Sequence, residues 1–472
     1  MYGNNTIPKA YRVGIIAAPF IFYIIYWFAD GAIWCADSIS YVTMYDAREP
    51  LYPLILAMVR RVVGYRESLP VEAQPYLFYV AGIQSLLAAY AVISLTRFLT
   101  ARYRLSGPVS IAVMMIPLGV SILNRYAARR GSMYSNCILT EGIAISLYLL
   151  LFRYELEYIL TGRRGAFIAS ALISFAGISL RKQMYVMIGL IIAGGIVRAF
   201  LYIRSKERLK PIISSLACAV IVIMAAALFD HTYNYVLRGT FIGHTEDNRF
   251  VATMAFYTAE REDVSYIDPG LREVFLEIYD ECDQNGYLYH SAPRGPVESV
   301  NHFSDNYDHI QLDVMQPHLE RTVEELEYDR LKDAQSHSEK MDMVREEFNS
   351  SLLSHHTGRV FKVILYNFVS GLVLTAARFS YVFILYAVVV YAVFVYLAVN
   401  AVKRKAEPDA LVLTVMTAAG IILNSALVSA VIFCQTRYMI YNMPLLYIAV
   451  VILFIKNRRN VNPDRITESD NV

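Results

Sequence analysis

Residues Phe379–Val402 read FSYVFILYAVVVYAVFVYLAVNAV, 24 consecutive residues without a charge, closed by Arg378 on one side and Lys403 on the other. As a helix this stretch would reach about 36 Å, more than the roughly 30 Å of hydrocarbon in a bilayer. The run shows no period-2 alternation, so it does not read as a barrel strand. A helix, which satisfies every backbone hydrogen bond internally, is the form such a run takes in lipid.

Outward from this run the same test finds Val13–Ala29, Ala73–Thr96, Leu105–Asn124, Pro211–Phe229, Ala410–Thr436 and Tyr438–Ile455. Three further runs are weaker. Gly131–Phe152 carries Glu141, while Gly165–Leu180 and Gln183–Val197 are short and separated only by Arg181 and Lys182. Short spans need protein neighbours or a thinned bilayer, which places this pair inside the bundle. The first run lacks a cleavable leader and is read as a retained span. The fold expected is therefore an all-α polytopic membrane protein of about ten transmembrane helices.

Basic residues orient it. With the N-terminus in the cytoplasm, twenty lysines and arginines fall in the short inner segments and ten in the short outer loops. Both termini are then cytoplasmic. The domains expected are a membrane bundle over 1–229 with a first outer loop at 30–72, an outer insertion over 230–378, further spans over 379–456, and a cytoplasmic tail over 457–472. The setting expected is a multi-pass cell membrane, bacterial and cytoplasmic, with the site facing outward.

The insertion differs in composition. The chain is 56% hydrophobic and only 18% charged, with mean hydropathy +0.39. Yet 26 of its 41 acidic residues lie between Asp230 and Glu347, and all nine histidines between His231 and His356. Leu271–Asp283, Thr322–Lys332 and Glu339–Leu353 have helical periodicity, so the insertion reads as largely helical. Val363–Ala377 is apolar but bounded by Lys362 and Arg378; it is expected to lie at the outer interface as a helix too short to cross. The net charge of +2 averages these regions. No basic-aromatic stripe, Gly-rich phosphate loop or zinc spacing occurs, so nucleic acid is not an expected partner and membrane lipid is. His302, Asp305 and His309 have helical spacing, but a His-rich acidic region yields such triplets by chance, and no metal site is assigned there. Cys35, Cys137 and Cys434 fall outside; a disulfide among them stays open beside the reading as buried thiols.

Chemistry concentrates at the outer edge. Asp37 follows the first span directly, where a partly dehydrated carboxylate could serve as a base; it could equally cap a short helix starting at Ser38. Arg125, Arg129, Arg130, Arg181, Lys182 and Arg437 all stand at span ends where the charge bias calls for few cations. As a set they suit one anion, a phosphate at the interface, because guanidinium groups grip phosphate oxygens in a fork. Singly, each could instead snorkel to headgroups. Glu141 is an acid at the outer end of a span and needs a partner, for which Arg129 and Arg130 are nearest in sequence.

Four motifs together resemble the GT-C superfamily of membrane glycosyltransferases, which use polyprenyl-phosphate-linked sugars. Asp37 and Tyr41 with Arg48, Pro50, Tyr52 and Pro53 look like that family's acidic first outer loop. Thr140-Glu141-Gly142 looks like its second outer loop, and Ser179-Leu180-Arg181-Lys182-Gln183 like its basic turn between short spans. Gln435-Thr436-Arg437-Tyr438 with Pro444 looks like the opening of its last span. The order holds from Val13 to Ile455, outside the insertion. No Asp-x-Asp pair, the mark of the metal-dependent branch, stands in the first loop.

The resemblance implies a GT-C-like bundle and an inverting sugar transfer to a glycan, lipid or protein acceptor. Asp37 would be the base and Glu141 a second catalytic acid. Arg181, Lys182 and Arg437, with Arg129 and Arg130, would hold the donor phosphate. Tyr41, Arg48, Tyr52 and Tyr438 would contact the sugar. No cofactor is required, and a divalent metal, Mg or Mn, stays open. A polymerase or ligase using polyprenyl-diphosphate glycans is the nearest alternative, and a lipid or solute transporter the distant one.

Overall fold

The computed structural model describes residues 7–127, 133–202, 207–325, 331, 334, 336–403 and 408–459. Among these the chain is helical throughout, its one β-feature an isolated bridge between Ile33 and Cys137. The first half comprises α1 (Lys9–Asp30), α2 (Ser38–Val42), α3 (Leu51–Val63), α4 (Pro75–Tyr103), α5 (Gly107–Ala127), α6 (Glu141–Thr161), α7 (Arg164–Leu180), α8 (Val186–Tyr202) and α9 (Leu209–Arg238). A smaller unit follows with α10 (Asn248–Thr258), α11 (Arg272–Gln284), α12 (Pro296–Asp308), α13 (Gln316–Glu325) and α14 (His337–Leu353). The chain then returns through α15 (Thr357–Ala376), α16 (Tyr381–Lys403), α17 (Pro408–Val431), α18 (Thr436–Met439) and α19 (Met443–Arg459).

Among the described residues, seven segments are long and apolar enough to cross a membrane: α1, α4, Lys182–Leu201 (which contains most of α8), α9, α15, α16 and α17. Their surfaces agree with that environment. On α16, Val382, Leu385, Val388 and Tyr396 are all more than half exposed, while only Ala387, Phe394, Leu397 and Ala401 are buried. So large an apolar surface suits hydrocarbon and not water.

Polar side chains fasten the interior, as expected where apolar burial alone drives no helix association. The Tyr148 hydroxyl on α6 donates to Asn442 Oδ1 at 2.8 Å, and Asn442 Nδ2 donates to the Gly420 carbonyl on α17 at 3.1 Å. Gly420 is required here, because a Cβ would stand 2.6 Å from Asn442 Oδ1. At one end of the bundle Arg102 pairs with Asp409 at 2.7 Å and Arg163 with Glu157 at 3.0 Å. The opposite end gathers the loops after α1, α7 and α17 and the 240–356 unit.

Besides the break at 432–442, where the runs Ala410–Thr436 and Tyr438–Ile455 give α17 ending at Val431, the short α18 and α19 starting at Met443, three boundaries differ from the sequence reading. The run Gly131–Phe152 does not form one helix: α6 begins at Glu141 and continues through Arg153, Glu155 and Glu157 to Thr161. Arg153 and Glu157 pair at 2.5 Å one turn apart, while Glu155 is buried beside Gly194 of α8. Residues 133–140 instead pair with the loop after α1, Ile33 N–H donating to the Asn136 carbonyl at 2.8 Å and Ile138 N–H to the Ile33 carbonyl at 2.9 Å. Helix α9 runs nine residues past Phe229, so Asp230 belongs to it and not to the insertion.

The third is Val363–Ala377, which starts earlier, at Thr357, and at 20 residues is long enough to cross. It packs into the bundle as well as against the 240–356 unit: Val373 and Ala376 join the main core, and Tyr391, near the middle of α16, donates to the Leu372 carbonyl at 2.8 Å. Val363 joins the second core with Phe433, Asn367 Nδ2 donates to the Ile432 carbonyl at 2.7 Å, and the Ala376 carbonyl accepts from Tyr447, one turn into α19, at 2.5 Å. The 240–356 unit has that separate core, built on Phe256, Phe275, Tyr307 and Phe348.

Candidate functional site

The loop from Gly31 to Pro50 folds back over the bundle because its backbone is tied to residues 133–140. Gln84 on α4 completes the tie: its Nε2 donates to the carbonyls of Ser135 and Cys137 at 3.0 and 2.9 Å, and its Oε1 accepts from the Tyr52 hydroxyl at 2.8 Å. Gly142 permits this approach, since a Cβ there would lie 2.6 Å from the Gln84 amide. Asp37 and Glu141 are thereby set side by side, one before α2 and one at the start of α6.

Asp37 occupies the cap position of α2 but makes no capping bond. Its carboxylate goes to arginines: Arg48 Nη2 donates to Oδ1 at 3.1 Å and Arg437 Nη1 to Oδ2 at 3.3 Å. Burial pushes this carboxyl up, but the charges of Arg48, Arg437 and Arg181 outweigh it and hold Asp37 below the usual carboxylate range. Glu141 is 1% exposed, with Oε1 2.6 Å from Arg181 Nη1 and 4.0 Å from Arg437 Nε. Its place at the N-terminus of a long helix also favours the anion. Arg129 and Arg130, the partners nearest in sequence, lie outside the described residues.

Tyr438 is the platform between the two arginines. The Arg181 guanidinium lies 5.0 Å and that of Arg437 4.8 Å from its ring centroid, and Arg437 donates to its hydroxyl at 2.6 Å. Gln183 fixes the arrangement by donating to the Tyr438 carbonyl at 2.8 Å and to Asn424 at 3.0 Å. Arg48 likewise stacks on Tyr41 at 4.6 Å and donates to Ser40 at 2.9 Å. Three guanidinium groups thus meet two carboxylates, a net charge of +1. The Arg437 Nε is buried with no hydrogen bond among the described residues.

Asp37, Arg48, Glu141, Arg181, Arg437, Tyr41 and Tyr438 are therefore brought together from loops up to 400 positions apart. Others are not. Lys182 turns the opposite way and pairs with Asp247, while its backbone N–H donates to Glu49 at 2.7 Å. Tyr52 is fully buried beneath Tyr41, ring centroids 5.1 Å apart, and has no surface to offer a ligand. Arg125 is held by Asp30 at 2.6 Å. His302, Asp305 and His309 form no shared site: His302 spends one ring nitrogen on Tyr257 and the other on the Gly286 carbonyl, both at 3.1 Å. Thr140, which accepts from Arg181 Nη1 at 3.2 Å, and Gln183 stand in the motifs quoted from the sequence but are given no role there, and Ser40 is not singled out.

Compared with protein-family models, with curated proteins and with solved structures, the chain matches none. Function rests on the site.

Proposed function

We propose that this protein is an integral-membrane glycosyltransferase that moves a sugar, with inversion, from a polyprenyl-phosphate-linked donor to a glycan, lipid or protein acceptor at the outer face of the membrane. The observation that carries the reading is the cluster itself: Arg48, Arg181 and Arg437 converge on Asp37 and Glu141 at one end of an apolar helical bundle. A net positive, partly desolvated set of guanidinium groups at a membrane edge suits a lipid phosphate. The bundle then crosses about ten times with both termini inside, α15 lying at the outer interface and the 240–356 unit outside.

In the reaction, the acceptor hydroxyl gives its proton to Asp37 as its oxygen bonds to the anomeric carbon. The bond from that carbon to the phosphate oxygen breaks, and the phosphate leaves with the electron pair. Arg181 and Arg437 stabilise the charge that develops. Before donor binds, Arg437 keeps Asp37 ionised. Once the phosphate takes Arg437, Asp37 loses a cation and becomes a stronger base. A divalent cation fits poorly, because both carboxylates already neutralise guanidinium groups.

Tyr438 supports the arginines and Tyr52 the loop, so sugar contacts fall to other groups. The test is transfer of labelled sugar from a polyprenyl-phosphate donor in proteoliposomes by wild type and Asp37→Asn. Turnover by the first and loss by the second is expected. Equal turnover would move the base elsewhere, and no turnover by either would remove the reading.

Transport is the second reading, and one observation favours it. Glu155 on α6 is fully buried against Gly194 of α8, with no ion-pair partner among the described residues. Buried acids within spans often mark ion pathways.

A further inference from the structure

A second polar centre adjoins the arginine cluster. Asp230 Oδ2, near the outer end of α9, accepts from the His244 backbone N–H at 3.0 Å and from its Nδ1 at 2.5 Å. A carboxylate bonded this way places a proton on Nδ1, and in the neutral ring Nε2 then carries the lone pair. The His244 side chain is only 10% exposed, and Nε2 is buried with no hydrogen bond among the described residues; Asp247 Oδ1 stands 3.5 Å away without completing one. Asp230 Oδ1 is likewise buried and unbonded. Buried polar atoms seldom go unpaired in folded proteins, and those that do call for a specific explanation.

The surroundings define what could satisfy them. Asp247 takes the Lys182 ammonium, Glu49 takes the Lys182 backbone N–H, and Asp342 accepts from the Asn248 N–H at 3.0 Å. This lining is rich in acceptors and repels anions, so it suits a ligand that brings hydroxyl donors. It also adjoins the first cluster through two dipeptides. Arg48-Glu49 and Arg181-Lys182 each send one side chain to the arginine cluster and give the other residue to this one. Adjacent Cα atoms stand about 3.8 Å apart, so the two centres lie side by side.

We propose that this seam between the bundle and the 240–356 unit binds the acceptor, a hydroxyl-rich saccharide whose hydroxyl donates to His244 Nε2. The inference rests on the transferase reading for the acceptor's role, but the saccharide site is tested separately. The full chain, labelled with ¹⁵N-histidine in nanodiscs, is titrated with methyl hexopyranosides and, separately, inorganic phosphate at matched ionic strength. The His244 signal, assigned by its loss in His244→Gln, should report a protonated Nδ1 and a bare Nε2, and Nε2 should move with the pyranosides and not with phosphate. In proteoliposomes His244→Phe should raise the KM for acceptor tenfold or more, with release of donor sugar to water within twofold of wild type. His244→Gln, which keeps a polar group near Nε2, should recover part of the loss. An Nε2 signal unmoved by pyranosides, or an unchanged acceptor KM in His244→Phe, overturns the site while the transferase reading stands. Absence of donor turnover by wild type overturns the transferase reading, and the titration alone then decides the saccharide site. Should the variants fail to fold, the wild-type titration still decides.

Discussion

Glu141→Gln removes one charge at almost no cost in volume, and its consequences can be worked from the geometry. Glu141 Oε1 lies 2.6 Å from Arg181 and 4.0 Å from Arg437. At an effective dielectric of about 20 these separations correspond to gross attractions of roughly 6 and 4 kcal/mol. Desolvation of a residue only 1% exposed cancels much of that. What the variant loses is compensation for two largely buried guanidinium groups, a change that costs about 3–5 kcal/mol in buried pairs. Arg437 keeps Asp37, so the lower end, about 3 kcal/mol, is expected.

The same substitution raises the cluster's net charge from +1 to +2, so an anion should bind the variant more tightly. The assay is reversible unfolding in mixed micelles followed by fluorescence of the two tryptophans, with and without a short-chain alkyl phosphate. The variant should be less stable, and the phosphate should restore more stability to it than to wild type. A variant within about 0.5 kcal/mol of wild type, the range of an inconsequential surface change, would refute the reasoning. Equal stabilisation of both proteins by phosphate would refute it as well.

Asp37→Asn should lower transfer by about 10²–10⁴-fold, the usual worth of a positioned general base, with donor binding retained in an equilibrium binding assay. Because the folded carboxyl sits below its usual value, its stabilising contribution is full above about pH 4 and fades as pH falls through the lowered value. Unfolding midpoints of wild type and Asp37→Asn should therefore differ at pH 7 and converge in strong acid; a constant gap would contradict the ion-pair account. Arg437→Ala should weaken donor use by about 1–3 kcal/mol, and Arg437→Lys should recover little of it, because a lysine cannot fork. Single cysteines at Ser265 and Ser106 should label from outside and inside respectively with an impermeant maleimide, over the wild-type background. Labelling of Ser106→Cys in intact cells would invert the topology.

The spans were legible because hydrocarbon demands long uncharged runs, and Phe379–Val402 differs from α16 by two residues at one end and one at the other. The failures share a cause: a charge or a break whose partner only the folded backbone reveals. Arg153 and Glu157 look like the end of a span until they pair inside α6. Asp37 looks like a cap until Arg437, 400 positions away, takes it. The sequence grouped Lys182 with Arg181 because they are neighbours; on the irregular backbone after α7 they face opposite ways. His244 carried no local signal, since its meaning comes from Asp230 on a helix that ends only after that residue is reached.

The most direct measurement is a density map of the protein in nanodiscs with a polyprenyl monophosphate added. The account expects the phosphate between the Arg181 and Arg437 guanidinium groups, within about 3 Å of each, with Arg437 withdrawn from Asp37. A phosphate seated elsewhere, with the Asp37–Arg437 and Glu141–Arg181 pairs intact, would contradict it.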